Sequence, residues 1–192
     1  MIHVAVALAL GAVLVGVPGP AAAGGGPAAH SHSAARCPKS PAKRSFGPTH
    51  ARIGVLHHTY KVIRVRRVRG AIGTPPVTTR GKHLVGWDHA VQPGARHGTV
   101  VMDAHTWPDG SALGNALLGR LHKGNLIRVS HGRRAICYRI VKRHSYPRAR
   151  IPMSKIVRAG GHPRLAIIVC SGTRLGPGNW LRRTVWIGVP TK

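Results

Sequence analysis

Three kinds of side chain that together support thiol chemistry stand at the ends of strand-like apolar runs. One run ends directly at Cys170, a second is followed closely by His105, and Arg182 and Arg183 precede a third. A nucleophilic thiol needs a stabilised thiolate, a proton carrier and a hydrogen-bond donor for the oxyanion. Cys170, His105 and one of the two arginines can supply these functions, provided that the fold brings the three runs together.

The elements that must position these groups are short and rich in β-branched residues, and Gly and Pro separate them. We predict strands within six runs: 60–68, 98–102, 126–129, 135–141, 165–169 and 184–189. A short helix is predicted at 112–121, where leucines recur at helical spacing, and a hairpin turn at 130–133. The lack of long helical periods favours an all-β barrel or sandwich.

The chain divides into three parts by composition. Residues 1–23 carry an apolar run followed by Pro, Gly and small residues, which predicts a signal peptide or, alternatively, a retained N-terminal membrane anchor. Residues 24–50 are rich in Gly, Pro, Ala, Ser and basic residues, which predicts a flexible spacer. Residues 51–192 are expected to form the catalytic domain. We therefore expect an extracytoplasmic protein of the cell envelope, either secreted after cleavage or held by its anchor.

The chain has three cysteines, an odd number for an exported protein. An oxidising compartment permits a disulfide between Cys37 and Cys137, which would tie the spacer to the domain. In the alternative, Cys137 is a core residue of its strand and Cys37 a free thiol. Both alternatives leave Cys170 as the candidate nucleophile.

The chain is strongly basic, with 30 Lys and Arg against 3 acidic residues and a net charge of +27. Such a charge attracts anionic wall polymers, anionic membranes and nucleic acid alike. The basic residues are scattered along the sequence, so we expect no specific nucleic-acid recognition. The alternative function is a secreted, non-catalytic basic protein that binds anionic wall polymers or nucleic acid through charge. Its binding would survive the loss of Cys170 and weaken with salt.

The sequence gives no reason to expect a metal or an organic cofactor. The acidic residues are only Asp88, Asp103 and Asp109, too few for a carboxylate calcium site. Among 14 histidines only His57 and His58 are adjacent, and no spacing typical of zinc ligands occurs.

Three segments resemble the sortases, and within them the actinobacterial class E and F type. Residues 104–115 (AHTWPDGSALGN) are similar to the family's catalytic histidine segment, 165–172 (LAIIVCSG) to its cysteine strand, and 179–188 (NWLRRTVWIG) to its arginine-bearing last strand. The resemblance covers about residues 84–189. It implies an eight-stranded closed β-barrel with one or two short helices.

The resemblance also implies an activity, which is transpeptidation. Cys170 would attack an LPxTG-type sorting motif of a surface protein to give a thioacyl enzyme, which an amine of a peptidoglycan precursor or a pilin would resolve. His105 would carry protons, and Arg183 would bind the oxyanion or substrate.

The resemblance leaves the arginine and the substrate contacts less closely defined. Counting back from Gly188 favours Arg183, with Arg182 as the alternative. Trp107 and Trp180 lie in segments near the expected site and are candidate substrate contacts, together with Arg182.

Overall fold

The computed structural model describes residues 37–38, 42 and 44–191. It contains eight strands: β1 (His50–Ile53), β2 (His58–Val65), β3 (Val85–Asp88), β4 (Thr99–Ala104), β5 (Leu126–His131), β6 (Arg134–Pro147), β7 (Arg164–Gly176) and β8 (Asn179–Pro190). These strands close into one barrel in the order β1-β2-β3-β4-β7-β8-β6-β5. The expected all-β, eight-stranded closed barrel is confirmed. Its β2–β3 and β4–β7 pairs are parallel and the others antiparallel.

The described helices are short. They are α1 (Leu113–Arg120), α2 (Met153–Ile156) and three single 3-10 turns at Gly54–Leu56, Gly81–His83 and Arg148–Arg150. The helix predicted at 112–121 is confirmed as α1. The leucine spacing that predicted it reflects burial, since Leu113, Leu117 and Leu121 all lie in the barrel core. The turn predicted at 130–133 is also confirmed, since β5 and β6 pair up to His131 and Arg134.

All six predicted strands are present, but the sequence missed β1 and β3 and underestimated β6, β7 and β8. β1 and β3 have four residues each, too few to show a period. β7 and β8 extend past the apolar runs to Gly176 and Asn179, where they pair with each other. Side chains on this extension are largely exposed, so hydrophobic periodicity could not reveal it.

The barrel interior is filled by large side chains. Trp186 is completely buried, and its indole Nε1 donates a hydrogen bond to the Leu121 carbonyl oxygen at 2.8 Å. Tyr138, Met102 and Leu165 are buried around it. Truncating a buried aromatic residue of this kind typically costs about 3–5 kcal/mol of stability. Because the interior is occupied, groups that meet a substrate must lie on the outer face or at the ends of the strands.

A disulfide joins Cys37 to Cys137, with 5.7 Å between the two Cα atoms. The predicted disulfide is confirmed, and the alternative in which Cys37 is a free thiol is wrong. Cys137 is also a buried residue of β6. The bond spans 100 residues of sequence. It ties the segment before β1 to β6, which is separated from β1 in the barrel by β5.

Residues 1–36, which include the signal or anchor alternatives and part of the 24–50 spacer, lie outside the described residues. Within the part that is described, no helix is both long and apolar enough to cross a membrane.

Candidate active site

The register of three adjacent strands brings the proposed reactive residues to neighbouring positions. β4 and β7 run parallel with Ala104 beside Val169; Cys170 is the next residue of β7, and His105 is the first residue after the end of β4. β7 and β8 run antiparallel with Cys170 directly opposite Arg183. Cys170 and Arg183 therefore occupy one level of the sheet, and the chain leaves β4 at His105 next to that level.

The same register separates the two candidate arginines. Val169 is part of the barrel core, so its neighbour Cys170 lies on the outer face, and Arg183 shares that face. Arg182 lies on the other face, where its guanidinium donates hydrogen bonds to the side chain and backbone oxygens of Ser145, at 2.9 and 2.6 Å. The geometry thus sets Arg183, and not Arg182, against the thiol.

Cys170 is half-buried and is the cysteine left outside the disulfide. Burial raises the pKa of its thiol above the usual value. The charge of Arg183 opposes this rise, Asp103 adds to it, and Arg148 opposes it again. The resting form at neutral pH is therefore the protonated thiol, and a base must take its proton before attack.

His105 is held by a backbone carbonyl from a different part of the chain. Its Nε2 lies 2.7 Å from the carbonyl oxygen of Pro75, in the β2–β3 connection. A carbonyl can only accept, so Nε2 carries a hydrogen and the lone pair of the neutral ring resides on Nδ1. Nδ1 is therefore the atom that can accept a proton from the thiol.

The backbone around His105 is fixed to α1 and to the cysteine strand. The Gly114 N–H donates to the His105 carbonyl oxygen at 2.7 Å, and a Cβ at Gly114 would lie 2.4 Å from that oxygen. The hydroxyl of Thr106 donates to the Cys170 carbonyl oxygen at 2.7 Å. These contacts fix the backbone of His105 against α1 and that of Cys170 against the segment after β4.

Trp107 and Trp180 are half-buried near this site. The backbone N–H and carbonyl of Trp107 are both held by the Asn115 side chain, at 2.9 and 3.0 Å, and the Lys82 ammonium lies 5.0 Å from its ring centroid. The Trp180 carbonyl oxygen accepts a hydrogen bond from Arg183 at 3.1 Å. Trp180 therefore meets the arginine through its backbone, while Trp107 is fixed two residues beyond His105.

Part of the Arg183 guanidinium forms no hydrogen bond with the described residues. Its two hydrogen bonds, to the carbonyl oxygens of Trp180 and Arg182, both use Nη1. Nε and Nη2 form none with the described residues. A guanidinium has five N–H donors in a fixed plane, so several are left for a substrate oxygen.

Asp103 is a part of the site that the sequence did not identify as such. It lies two residues before His105 on the same outer face, it is 7% exposed, and burial raises the pKa of its carboxyl to about 8. Its Oδ1 has no hydrogen-bond partner among the described residues. The carboxyl fits because its neighbour on β3 is Gly86, where a Cβ would lie 2.0 Å from Oδ1.

The described residues contain no group of three His, Cys, Asp or Glu side chains that could hold a metal ion. The chemistry available here is that of a thiol, an imidazole, a guanidinium and a buried carboxylic acid. Arg148, from the connection between β6 and β7, adds a second positive charge near the thiol. It stands 22 residues from Cys170, in a polar stretch that gave no signal in the sequence.

No protein-family model matches the chain, and no curated protein matches it. Solved structures do. Sortase C-1 from Actinomyces oris aligns with a TM-score of 0.56 at 15% identity over 74% of this chain and 71% of that one. Streptococcus agalactiae sortase C1, in complex with MTSET, aligns with a TM-score of 0.55 at 12% identity, over 75% of this chain and 69% of that one. Listeria monocytogenes sortase A aligns with a TM-score of 0.53 at 15% identity, over 74% of this chain and 86% of that one. This chain has the sortase fold.

Proposed function

We propose that the chain is a sortase-type cysteine transpeptidase of the class E and F kind, which cleaves an LPxTG-type sorting motif and transfers the acyl group to an amine. One observation supports this most strongly. Cys170, the thiol outside the disulfide, lies opposite Arg183 on the outer face of the barrel, and His105 directly follows the end of the adjacent strand β4. A thiol placed there for packing alone would not require the other two groups.

The first step is acylation. Nδ1 of His105 takes the proton of Cys170, and the resulting thiolate attacks the carbonyl carbon of the Thr–Gly bond. The free donors of Arg183 bind the oxyanion as the tetrahedral centre forms. The C–N bond then breaks, His105 returns the proton to the leaving amine, and a thioester to Cys170 remains.

The second step reverses these roles. His105 takes a proton from the acceptor amine, whose nitrogen attacks the thioester carbonyl, and Cys170 leaves as a thiolate. Throughout both steps Nε2 of His105 stays bonded to the Pro75 carbonyl, so only Nδ1 exchanges protons.

The partners follow from this chemistry. The acyl donor is the sorting peptide of a surface protein, and the acceptor is an amine of a peptidoglycan precursor or a pilin. Trp107 and Trp180 are proposed to line the peptide site. Arg182, the third candidate contact, is not included, because it lies on the other face with its guanidinium bonded to Ser145. The disulfide supports an extracytoplasmic, envelope-associated location, because such bonds persist in oxidising compartments.

The test is a reaction of the purified protein with a library of LPxTG-type peptides, followed by intact mass. We expect a covalent adduct on Cys170 that an added amine such as triglycine releases as a ligated peptide. Cys170→Ala should form neither adduct nor product, whereas Cys37→Ser, which alters a cysteine outside the site, should form both. Product from Cys170→Ala, or a folded protein that forms no adduct with any peptide, would contradict the proposal.

The high charge favours a second candidate, a non-catalytic protein that binds anionic wall polymers or nucleic acid. Such a protein would bind equally well as Cys170→Ala and would lose affinity steeply as salt rises. The peptide reaction distinguishes the two, because charge alone forms no thioester.

A further inference from the structure

A cavity of about 600 Å³ lies at the end of β4 and β7 that is remote from Cys170. Its lining consists of Arg96, His97, Arg158, Gly161, His162 and Arg164. Arg164 is the first residue of β7 and stands six residues before Cys170, which places it about 20 Å away along the strand. The cavity is therefore separate from the proposed active site.

The walls of this cavity are held together by backbone hydrogen bonds. The Gly98 N–H donates to the Gly161 carbonyl oxygen at 3.0 Å, and the Thr99 N–H donates to that of Arg158 at 2.8 Å. The Arg164 N–H closes the set by donating to Gly98 at 3.0 Å. Two loops, one before β4 and one before β7, are thus fixed face to face.

Two of the guanidinium groups are placed close together. Arg164 is half-buried, and both burial and the charge of Arg158 lower the pKa of its side chain. Gly161 adopts a φ of +79°, and a Cβ there would lie 2.3 Å from a guanidinium nitrogen of Arg158. Glycine at this position is what allows Arg158 to lie against the loop, beside a like charge.

No acidic side chain neutralises this cluster. The chain has three acidic residues, and each is engaged elsewhere. Asp88 is paired with Arg67, Asp109 accepts hydrogen bonds from Ser111, and Asp103 is buried near the active site. Like charges held together in a fixed cavity without a counter-charge are stabilised when an anion binds.

We propose that this cavity binds a ligand with two or more closely spaced phosphate groups, either a soluble diphosphate or a phosphodiester chain. Guanidinium groups match phosphate oxygens in charge and planar geometry, and the two histidines add donors. The volume exceeds the need of a single phosphate. The proposal is independent of the transpeptidase function, since no residue of the cavity belongs to the active site.

The test is calorimetric titration of the folded protein with inorganic pyrophosphate at 0.15 M salt. Arg158→Ala/His162→Ala should weaken binding at least tenfold, because it removes a guanidinium and an imidazole from the cavity. The matched control is Arg133→Ala/His122→Ala, which removes the same side chains from exposed positions elsewhere. It should change the affinity less than twofold. Equal weakening by the two double variants, or none by the first, would overturn the proposal.

Two further arms complete the design. Arg96→Ala/His97→Ala removes the facing wall and should weaken pyrophosphate binding in the same way, so the test survives if the first variant fails to fold. Titration with a glycerol phosphate oligomer identifies the source of the phosphates. Tighter cavity-dependent binding of the oligomer than of pyrophosphate supports a phosphodiester chain, and the reverse order supports a soluble diphosphate. Cavity-independent binding of both ligands would refute the site.

Discussion

The two ends of the β4–β7 pair differ in how their charges are balanced. Because the strands are parallel, both begin at one end of the barrel and both finish at the other. At the finish, burial raises the pKa of both Cys170 and Asp103, next to the charge of Arg183. At the start, Arg158 and Arg164 stand together with no acid between them.

This difference teaches what each end can do. Proton transfer needs groups whose charge can change during a reaction, and burial poises Cys170 and Asp103 for such changes. Anion binding needs charges that do not change, and guanidinium groups stay protonated throughout the accessible pH range. One pair of strands therefore presents titratable chemistry at one end and permanent charge at the other.

The largest expected effect concerns Asp103, whose pKa rises from 3.8 to about 8 on folding. Between these values the folded state holds a proton that the unfolded state has released, so stability is greatest at low pH and falls as pH rises. The shift corresponds to on the order of 5 kcal/mol across this window, about 1.4 kcal/mol per pH unit. Asp103→Asn should remove this dependence.

Chemical denaturation at pH 5, 6, 7 and 8 measures the effect as the difference between wild type and Asp103→Asn. Taking the difference cancels the titration of the many histidines. The variant should gain stability relative to wild type at each step upward and level off above pH 8. If the difference in unfolding free energy between wild type and Asp103→Asn stayed constant with pH, Asp103 would not be a neutral acid in the folded protein. The comparison between the two ends of the β4–β7 pair would then be wrong.

The disulfide is expected to support both ends equally through overall stability, since neither of its cysteines belongs to the active site or lines the cavity. Closing a loop of 100 residues stabilises a protein by about 4.7 kcal/mol in the chain-entropy description. Cys37→Ser should lower the free energy of unfolding by this order, measured in urea. Peptide turnover and pyrophosphate affinity, measured well below the melting temperature, should each stay within about threefold; a selective loss of one would show that the bond serves that end alone.

Arg183 and Arg182 sharpen the comparison within the active-site end, because they are adjacent, equal in charge and on opposite faces. Arg183→Ala should cost on the order of 3 kcal/mol of transition-state stabilisation, roughly a hundredfold in turnover. Arg183→Lys should not restore the rate, since an ammonium lacks the planar fork. Arg182→Ala should slow acylation less than about threefold.

Turnover of one peptide substrate by these three variants, with thermal melts to establish folding, is the measurement. If Arg182→Ala were the damaging change, the face assigned to each arginine would be wrong. If both were mild, the oxyanion role proposed for the guanidinium would be lost, and Arg148 would be the next residue to vary.

The smallest expected effect is the influence of the basic cavity on catalysis. Arg158→Ala should change peptide turnover less than about threefold, because the two ends lie about 20 Å apart, beyond the screening length at physiological salt. Steady-state kinetics at 0.15 M salt tests this. A tenfold loss would show that the ends act as one site.

The sequence was informative where the chemistry lies within continuous segments. The apolar run before Cys170 predicted a strand that ends at a thiol, and the leucine spacing at 112–121 predicted α1. These patterns left a barrel and a sandwich open, and the closed eight-stranded barrel was implied by the resemblance to the sortases. Hydrophobic periodicity reports burial along one element, and these elements are buried.

What the sequence could not reveal depends on contacts between distant segments. The Pro75 carbonyl that holds His105 is 30 residues away from it, and no local pattern marks it. Asp103 was considered only as a metal ligand, since nothing along the chain shows that Gly86 leaves room for its carboxyl. The cavity at the start of β4 and β7 likewise forms only when two loops of ordinary composition are fixed face to face.

The bond between Cys37 and Cys137 has a mechanical consequence. A tension applied from the N-terminal side of Cys37 enters the barrel through a covalent link to β6, a 14-residue strand bonded on both edges. β1, which has only four residues, is bypassed and carries little of the load. A pull from that side therefore meets the longest strand of the barrel rather than one of its two shortest.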